Sequence, residues 1–185
     1  GHRGAAVIAD GSGSRLHAHG LVVDGTGVRL SDLGGGHAIY AAHDAEATVE
    51  ASLLAGNRST GLAADHARLA ADRCVVRTTL FAPLVDPENR QLKAELADGI
   101  LAATATGLDI RRCLVLDNQR AGVLVDATPG ARLSRTLVTG GSYGVVLQHG
   151  AKLKLEANAV YGNTLQNHAD DAGLAVPSPP AFAAP

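Results

Sequence analysis

Two histidines, His43 and His66, occupy matching positions in two similar segments, and each has an aspartate as its neighbour, Asp44 or Asp65. An imidazole beside a carboxylate can share acid–base work or bind a divalent metal. The same residue types are also ordinary at solvated turns, where they need no chemical role. Both interpretations stay open, and we predict neither a metal site nor a cofactor from these residues.

A further aspartate, Asp126, matches Asp65 two segments later in the chain, and His149 stands at the position that His43 and His66 share. Inverting glycoside hydrolases need two carboxylates about 6.5 to 9.5 Å apart. Segments that stack at about 4.8 Å would place Asp65 and Asp126 near the upper end of that range. Asp65, Asp126 and His66 are therefore the candidate catalytic residues if the chain is an enzyme.

An internal repeat of 22 or 23 residues must position these side chains. Counted from Gly99 and from Gly144, apolar residues fall at offsets +1, +3, +9, +11 and +16 without a gap. Further copies begin at Ala38, Gly61 and Gly122. The apolar pairs spaced two residues apart are typical of strands, and a stripe of helical period is absent.

Three short strands in each period predict an all-β solenoid of about six to seven coils, in which equivalent residues form columns. A worn first copy has Arg15 and His17 at the inner positions and places Val22 in the same column as Leu54.

Two columns hold small or polar residues. Cys74 and Cys113 fall in successive coils, so one coil rise would bring their Cα atoms within the range that a disulfide allows. Two buried, reduced thiols in a column of small residues are the competing interpretation. The second column holds Asn57, Asn118 and Asn163, whose side-chain amides we expect to form a ladder along the stack.

The repeat resembles the pectin-lyase-like pattern G-I-x-L…I-x-x-N-x-I-x-x-N of the right-handed parallel β-helix superfamily over residues 6–163. This resemblance implies a right-handed parallel β-helix in a superfamily that contains polysaccharide lyases, hydrolases and epimerases beside many non-catalytic surface proteins. Lyases of the superfamily use an Arg or Lys on a groove, and the outward positions of the corresponding sheet hold neither. We therefore favour a non-catalytic scaffold or polysaccharide-facing module, with a glycoside hydrolase as the alternative.

Two coils are lengthened at the same turn, near residues 26–35 and 78–93. Both inserts leave one edge of the solenoid, so they predict two walls around a ligand groove, although they would serve equally as structural cover. Aromatic residues make up only 3% of the chain, which argues against a sugar-processing enzyme. The residues expected to bind a ligand are Tyr40, His43, Asp44, Asn57, Arg58, Phe81 and Arg90.

Composition narrows the remaining possibilities. A net charge of −2 with 18% charged residues gives no basic surface for nucleic acid, and no apolar run is long enough to span a membrane. The chain starts at Gly1, so we expect a domain of a larger bacterial protein, secreted or on the cell surface, with flanking domains. Residues 1–166 are the predicted β-helix domain and 167–185 a Pro/Ala-rich tail or linker. End-to-end assembly through open strand edges is a further possibility.

Overall fold

The computed structural model describes residues 3–29, 35–85 and 91–177, and every regular element in those ranges is a β-strand. The strands in chain order are β1 (Ala5–Asp10), β2 (Arg15–His19), β3 (Val22–Asp24), β4 (His37–Ala42), β5 (Glu46–Glu50), β6 (Leu53–Ala55), β7 (Ser59–Asp65), β8 (Arg68–Asp72), β9 (Val75–Arg77), β10 (Ala82–Val85), β11 (Leu92–Ala103), β12 (Gly107–Arg111), β13 (Leu114–Leu116), β14 (Ala121–Asp126), β15 (Ala131–Ser134), β16 (Leu137–Thr139), β17 (Tyr143–Gln148), β18 (Leu153–Glu156), β19 (Ala159–Val160) and β20 (Gln166–Asp170). No helix capable of crossing a membrane occurs in these three ranges.

The strands form three parallel sheets, and the chain visits each sheet once per coil. Sheet 1 has the order β1-β4-β7-β11-β14-β17-β20, sheet 2 runs from β2 through β5, β8, β12 and β15 to β18, and sheet 3 from β3 through β6, β9, β13 and β16 to β19. The extra strand, β10, pairs with β11 in antiparallel fashion. Within the described ranges, six complete coils and a seventh strand in sheet 1 confirm the predicted parallel β-solenoid.

The interior is filled by columns of aliphatic side chains. Ile39, Leu62, Ile100 and Val123 pair in register along sheet 1, and each of them is fully buried. Burying such a side chain contributes about 1.5–3 kcal/mol, so a repeated inward position stabilises every coil against its neighbours. Rings are absent from this column, in agreement with the aromatic-poor composition.

Glycine opens several coils because the chain there lies against a valine of sheet 3. A Cβ added to Gly61 would lie 2.3 Å from Val76 Cγ1, and one added to Gly122 would lie 2.2 Å from Val138 Cγ1. No real Cβ atom tolerates such distances. The glycines that mark the repeat in the sequence are therefore positions of close approach between sheets 1 and 3.

The column that contains the cysteines links each coil to the preceding one. Cys113 Sγ accepts the backbone N–H of Cys74 at 3.4 Å, and Thr136 Oγ1 accepts that of Cys113 at 3.2 Å. Likewise, Ser52 Oγ accepts the backbone N–H of Leu21, and Asn158 Oδ1 accepts that of Thr136. Both cysteines are free thiols and are buried.

The asparagine column differs from the ladder expected from the sequence. Asn57 and Asn118 lie in alternate coils with Thr79 between them, so their side chains do not stack on each other. Instead, Asn57 Oδ1 accepts the backbone N–H of Thr26, and Asn118 Oδ1 accepts that of Thr79, both at 3.1 Å. Each carboxamide therefore satisfies a buried backbone donor of the coil before it.

In the first coil, β2 and β3 are shifted by one residue from their predicted register, whereas β1 keeps it. Leu16 and Ala18 face the interior, whereas Arg15 and His17 are exposed. Likewise Val23 pairs with Leu54, and Val22 is 66% exposed. The predicted inner positions of β2 and β3 are wrong, because an alternating strand that buries its apolar residues must send the charged ones outwards.

The two inserts and the predicted tail each contain β-structure. In the second insert β10 and the first half of β11 form an antiparallel pair, with Ala82 opposite Leu96, while residues 86–90 lie outside the described ranges. In the first insert, Val28 and Gly35 form an antiparallel bridge, and residues 30–34 lie outside those ranges. Part of the predicted tail is β20, which pairs with β17 because its residues continue sheet 1 for another coil.

Candidate functional site

Three histidines lie in a row along the edge where strands of sheet 1 end. His43 follows β4, His66 follows β7 and His149 follows β17. Their φ angles of 50°, 48° and 52° are left-handed, as the turn from sheet 1 toward sheet 2 requires. The shared backbone conformation leaves all three side chains exposed along one edge. We call this row the histidine edge.

A carboxylate holds each imidazole of the histidine edge at its Nδ1 atom. The Nδ1–Oδ1 pairs are His43–Asp10 at 2.7 Å, His66–Asp65 at 2.5 Å and His149–Asp126 at 2.5 Å. The sequence suggested Asp44 as the neighbour of His43, but that ring reaches back to the preceding coil. Asp44 is exposed and donates its backbone N–H to His66 O at 2.7 Å. Contacts between coils, and not adjacency in sequence, select the carboxylate here.

Asp65 is the most enclosed carboxylate of the histidine edge, with 5% of the residue exposed. Besides His66, it accepts hydrogen bonds from Thr104 Oγ1 at 3.4 Å and Tyr40 Oη at 3.5 Å. Burial, followed by the charge and hydrogen bond of Asp65, raises the pKa of Tyr40 far above its usual value. The phenol therefore stays protonated and acts as a donor to Asp65.

Asp65 and Asp126 occupy one column of sheet 1 with Ala103 between them. Two rungs correspond to about 9.6 Å along the stack, which matches the separation expected from the sequence. Hydrogen bonding to Asp126 and its charge raise the pKa of His149, so this pair favours an imidazolium. Both aspartates are thus engaged by imidazoles, and their assignment as catalytic residues stays a prediction.

The outer face of sheet 1, which points away from the solenoid interior, is largely buried. It carries a second hydrophobic cluster, separate from the solenoid interior, that consists of Tyr40, Ala42, Ala63, Leu101, Ala121, Leu124, Val146 and Ala169. Tyr40 is only 2% exposed, so its ring does not offer the open platform for a sugar that the sequence suggested. Tyr40 is instead part of a packed surface.

Residues 172–177, which we call the strap, pack on this outer face. Ala172, Leu174 and Val176 contact the second hydrophobic cluster. Gln148 forms two hydrogen bonds with the backbone of Leu174, and Arg120 Nη1 donates to Ala175 O at 2.8 Å. The strap is therefore fixed to the outer face of sheet 1 by apolar packing and by polar contacts from Gln148 and Arg120.

Sequence reasoning missed the residues that hold the strap. Arg120 forms a buried ion pair with Asp98, in which the Asp98 side chain is fully buried. These two residues are 22 positions apart, one repeat, so an acidic and a basic residue in register was a signal for the pair. The bond from Gln148 to Leu174 has no such signal, because the strap does not follow the repeat.

The other predicted ligand residues lie at the opposite edge of sheet 1. Asn57 is fully buried and serves the backbone of Thr26. Arg58 is exposed and donates from Nη1 to Phe81 O at 2.8 Å, and Phe81 itself is 37% exposed. Arg90 lies outside the described ranges.

The two edges are separated by the length of β7. Seven residues of strand span about 23 Å, so Arg58 and Phe81 do not meet His43 and Asp44. The structure consequently divides the predicted ligand residues into two exposed groups, with the buried Tyr40 on the outer face between the two edges.

Sheet 2 carries a shallow concavity of about 270 Å³ on its outer surface. Thr48, Ala70 and Ala71 line it together with five charged residues. Two of these charges, Arg112 and Asp72, form an ion pair, and their hydrogen bond lowers the pKa of Asp72. The concavity presents charges that already neutralise one another, which suits a solvated surface.

Comparison with known proteins supports the architecture. A family model described as a right-handed β-helix region matches residues 5–176, a range that includes all the strands and most of the strap. No curated protein and no solved structure matches the chain. From the strand order, the stacked columns and this match, the chain belongs to the right-handed β-helix family.

Proposed function

We propose that the chain is a non-catalytic β-helix scaffold that faces a polysaccharide in a secreted or cell-surface protein. The observation that carries this proposal is the strap on the outer face of sheet 1. A groove for a polymer needs an open floor, whereas this face is buried and bears the chain's own residues. The aspartates that would serve catalysis are already bonded to imidazoles.

The polysaccharide would meet the exposed edges of sheet 1 and not its outer face. Arg58 and Phe81 combine a guanidinium with an aromatic ring at one edge, and such pairs can bind an acidic sugar through charge and ring contact. A glycan array tests this role. We expect binding to polyuronates that falls when Arg58 is replaced by Gln, with Arg135→Gln on the exposed surface as the matched control. Equal binding by both variants would contradict the assignment of this edge.

A polysaccharide hydrolase is the second candidate, and one observation favours it. Asp65 and Asp126 share a column two rungs apart, which is near the separation that an inverting mechanism uses. Release of reducing sugar from polyuronates would reveal this activity. Loss of the released sugar in Asp65→Asn and Asp126→Asn would establish the hydrolase and reject the scaffold.

End-to-end assembly is a third candidate. Within the described ranges, β1, β2 and β3 form one set of unpaired edges, and β18, β19 and β20 form the other. Partly buried apolar residues, among them Leu16 and Leu153, lie beside these edges. Light scattering over a concentration series would show growing oligomers if the ends stack, and a constant monomer mass would reject the assembly.

A further inference from the structure

We propose that His43 and His66 together bind a divalent transition-metal ion, with water completing its coordination. The two residues occupy adjacent rungs, because Ala42 pairs with Asp65 and His43 N donates to Asp65 O at 3.2 Å. Adjacent rungs are about 4.8 Å apart. With φ angles of 50° and 48°, the two residues leave the same turn in the same backbone conformation.

Hydrogen bonds hold the two rings by their outer edges. His43 Nδ1 bonds Asp10 of the preceding coil at 2.7 Å. His66 Nδ1 lies 2.5 Å from Asp65 and 3.0 Å from Thr104 Oγ1 of the following coil. Because Asp10 and Thr104 draw the Nδ1 edges toward opposite ends of the stack, we infer that the Nε2 edges border the gap between the rings. A carboxylate on Nδ1 is also the usual partner of a histidine that binds metal through Nε2.

The gap is open to solvent and carries suitable ligands. The side chains of His43 and His66 are 50% and 59% exposed, so an ion can reach both rings. Imidazole suits Zn²⁺, Ni²⁺ and Cu²⁺. The described residues contain no group of three or more His, Cys, Asp or Glu arranged around a metal, so two imidazoles and water are the ligand set. Such a site is exchangeable and binds more weakly than a closed structural site.

His149 provides an internal comparison. Its Nδ1 atom bonds Asp126 at 2.5 Å, as in the other two pairs, and its side chain is 72% exposed. The preceding position in its column is Ala127, which has no ligand atom in its side chain. His149 therefore shares the carboxylate contact but lacks a neighbouring imidazole.

The test is a calorimetric titration with Zn²⁺ in a His17→Ala/His19→Ala background, which removes the exposed histidines of β2. We expect one ion per chain. Replacing His43 or His66 by Ala should weaken binding by at least about tenfold, since each change removes one of two protein ligands. His149→Ala should leave affinity unchanged, and Asp10→Asn should lower it by roughly 10–100-fold through the lost Nδ1 contact.

Imidazole nitrogen resonances measured during the same titration give a second readout that does not depend on the variants. We expect Zn²⁺ to shift Nε2 of His43 and His66 and not that of His149. Failure to bind Zn²⁺, equal loss in all three histidine variants, or a shift confined to His149 would overturn the proposal.

Discussion

Gln148 holds Leu174 by both of its backbone groups. The side-chain amide donates to Leu174 O at 2.8 Å and its oxygen accepts Leu174 N–H at 3.1 Å. Gln148 is 2% exposed, so these bonds lie within the contact between strap and sheet. The strap is thus attached by a defined polar contact in addition to its apolar packing.

Replacing Gln148 by Leu should release the strap while the solenoid remains folded. Each of the two lost hydrogen bonds contributes about 0.5–1.5 kcal/mol, so we expect hydrogen exchange at Leu174 N–H to rise by about fivefold to a hundredfold. Gln119→Leu is the matched control, because Gln119 bonds Phe81 N at the hairpin. Unchanged exchange at Leu174, or an equal rise in the control, would show that Gln148 does not hold the strap.

Gly122→Ala should destabilise the protein because the new Cβ would lie 2.2 Å from Val138 Cγ1 and 2.9 Å from Gly144 O. Overpacking of this kind costs about 1–3 kcal/mol in the free energy of unfolding, which urea denaturation measures. Gly130→Ala is the control, since no atom lies within 4 Å of the position of its Cβ. A loss of stability as large in Gly130→Ala as in Gly122→Ala would contradict the close-approach argument.

Acid should weaken the fold through His37. Burial, with a smaller contribution from the charge of Arg29, lowers the pKa of His37 to about 4. Between the unfolded pKa of about 6.5 and this value, only the unfolded chain takes up the proton, so unfolding becomes easier as pH falls. The loss reaches on the order of 3 kcal/mol near pH 4.

The measurement for His37 is the free energy of unfolding from pH 7 to pH 4 for the wild type and for His37→Asn. We expect the variant to show a flatter profile. His149→Asn is the control of opposite sign: its raised pKa stabilises the fold at low pH, and that contribution is lost as pH rises. Parallel profiles for wild type and His37→Asn would contradict a neutral, buried His37.

Replacing Cys113 by Ser should destabilise the protein less than replacing it by Ala. Its Sγ accepts the buried N–H of Cys74 at 3.4 Å, and Cys113→Ala would leave that donor unsatisfied, at a cost of about 1–3 kcal/mol. Cys113→Ser keeps an acceptor, as Ser52 does in the same column. Thermal denaturation of both variants should place the serine variant closer to the wild type, and equal losses would assign the effect to packing alone.

The repeat was sufficient to predict the solenoid, since apolar residues recur at the same inward positions from coil to coil. The cysteine column was also predictable, because Cys74 and Cys113 lie in strict register. The inward positions of β2 were not predictable from the repeat, because Arg15 and His17 stand where the repeat expects apolar residues. Only the alternation of buried and exposed residues along β2 identifies the residues that face the interior. Asn57 bonds a backbone N–H and not another side-chain amide, because the next coil has Thr79 at the equivalent position.

The site was predictable only in part. The histidine edge followed from the repeat, but the partner of His43 depends on a left-handed turn that no propensity reveals. The burial of Tyr40 and the strap could not be predicted, because Leu174 and Val176 lie beyond the last full coil and carry no periodic signal. Contacts between a non-repeating segment and a repeating sheet need the folded structure.

Release of reducing sugar from polyuronates tests the central claim most directly. With the strap on the outer face and both aspartates bonded to imidazoles, we expect the wild type to release no more sugar than Asp65→Asn and Asp126→Asn. Release by the wild type that both variants abolish would contradict a non-catalytic scaffold.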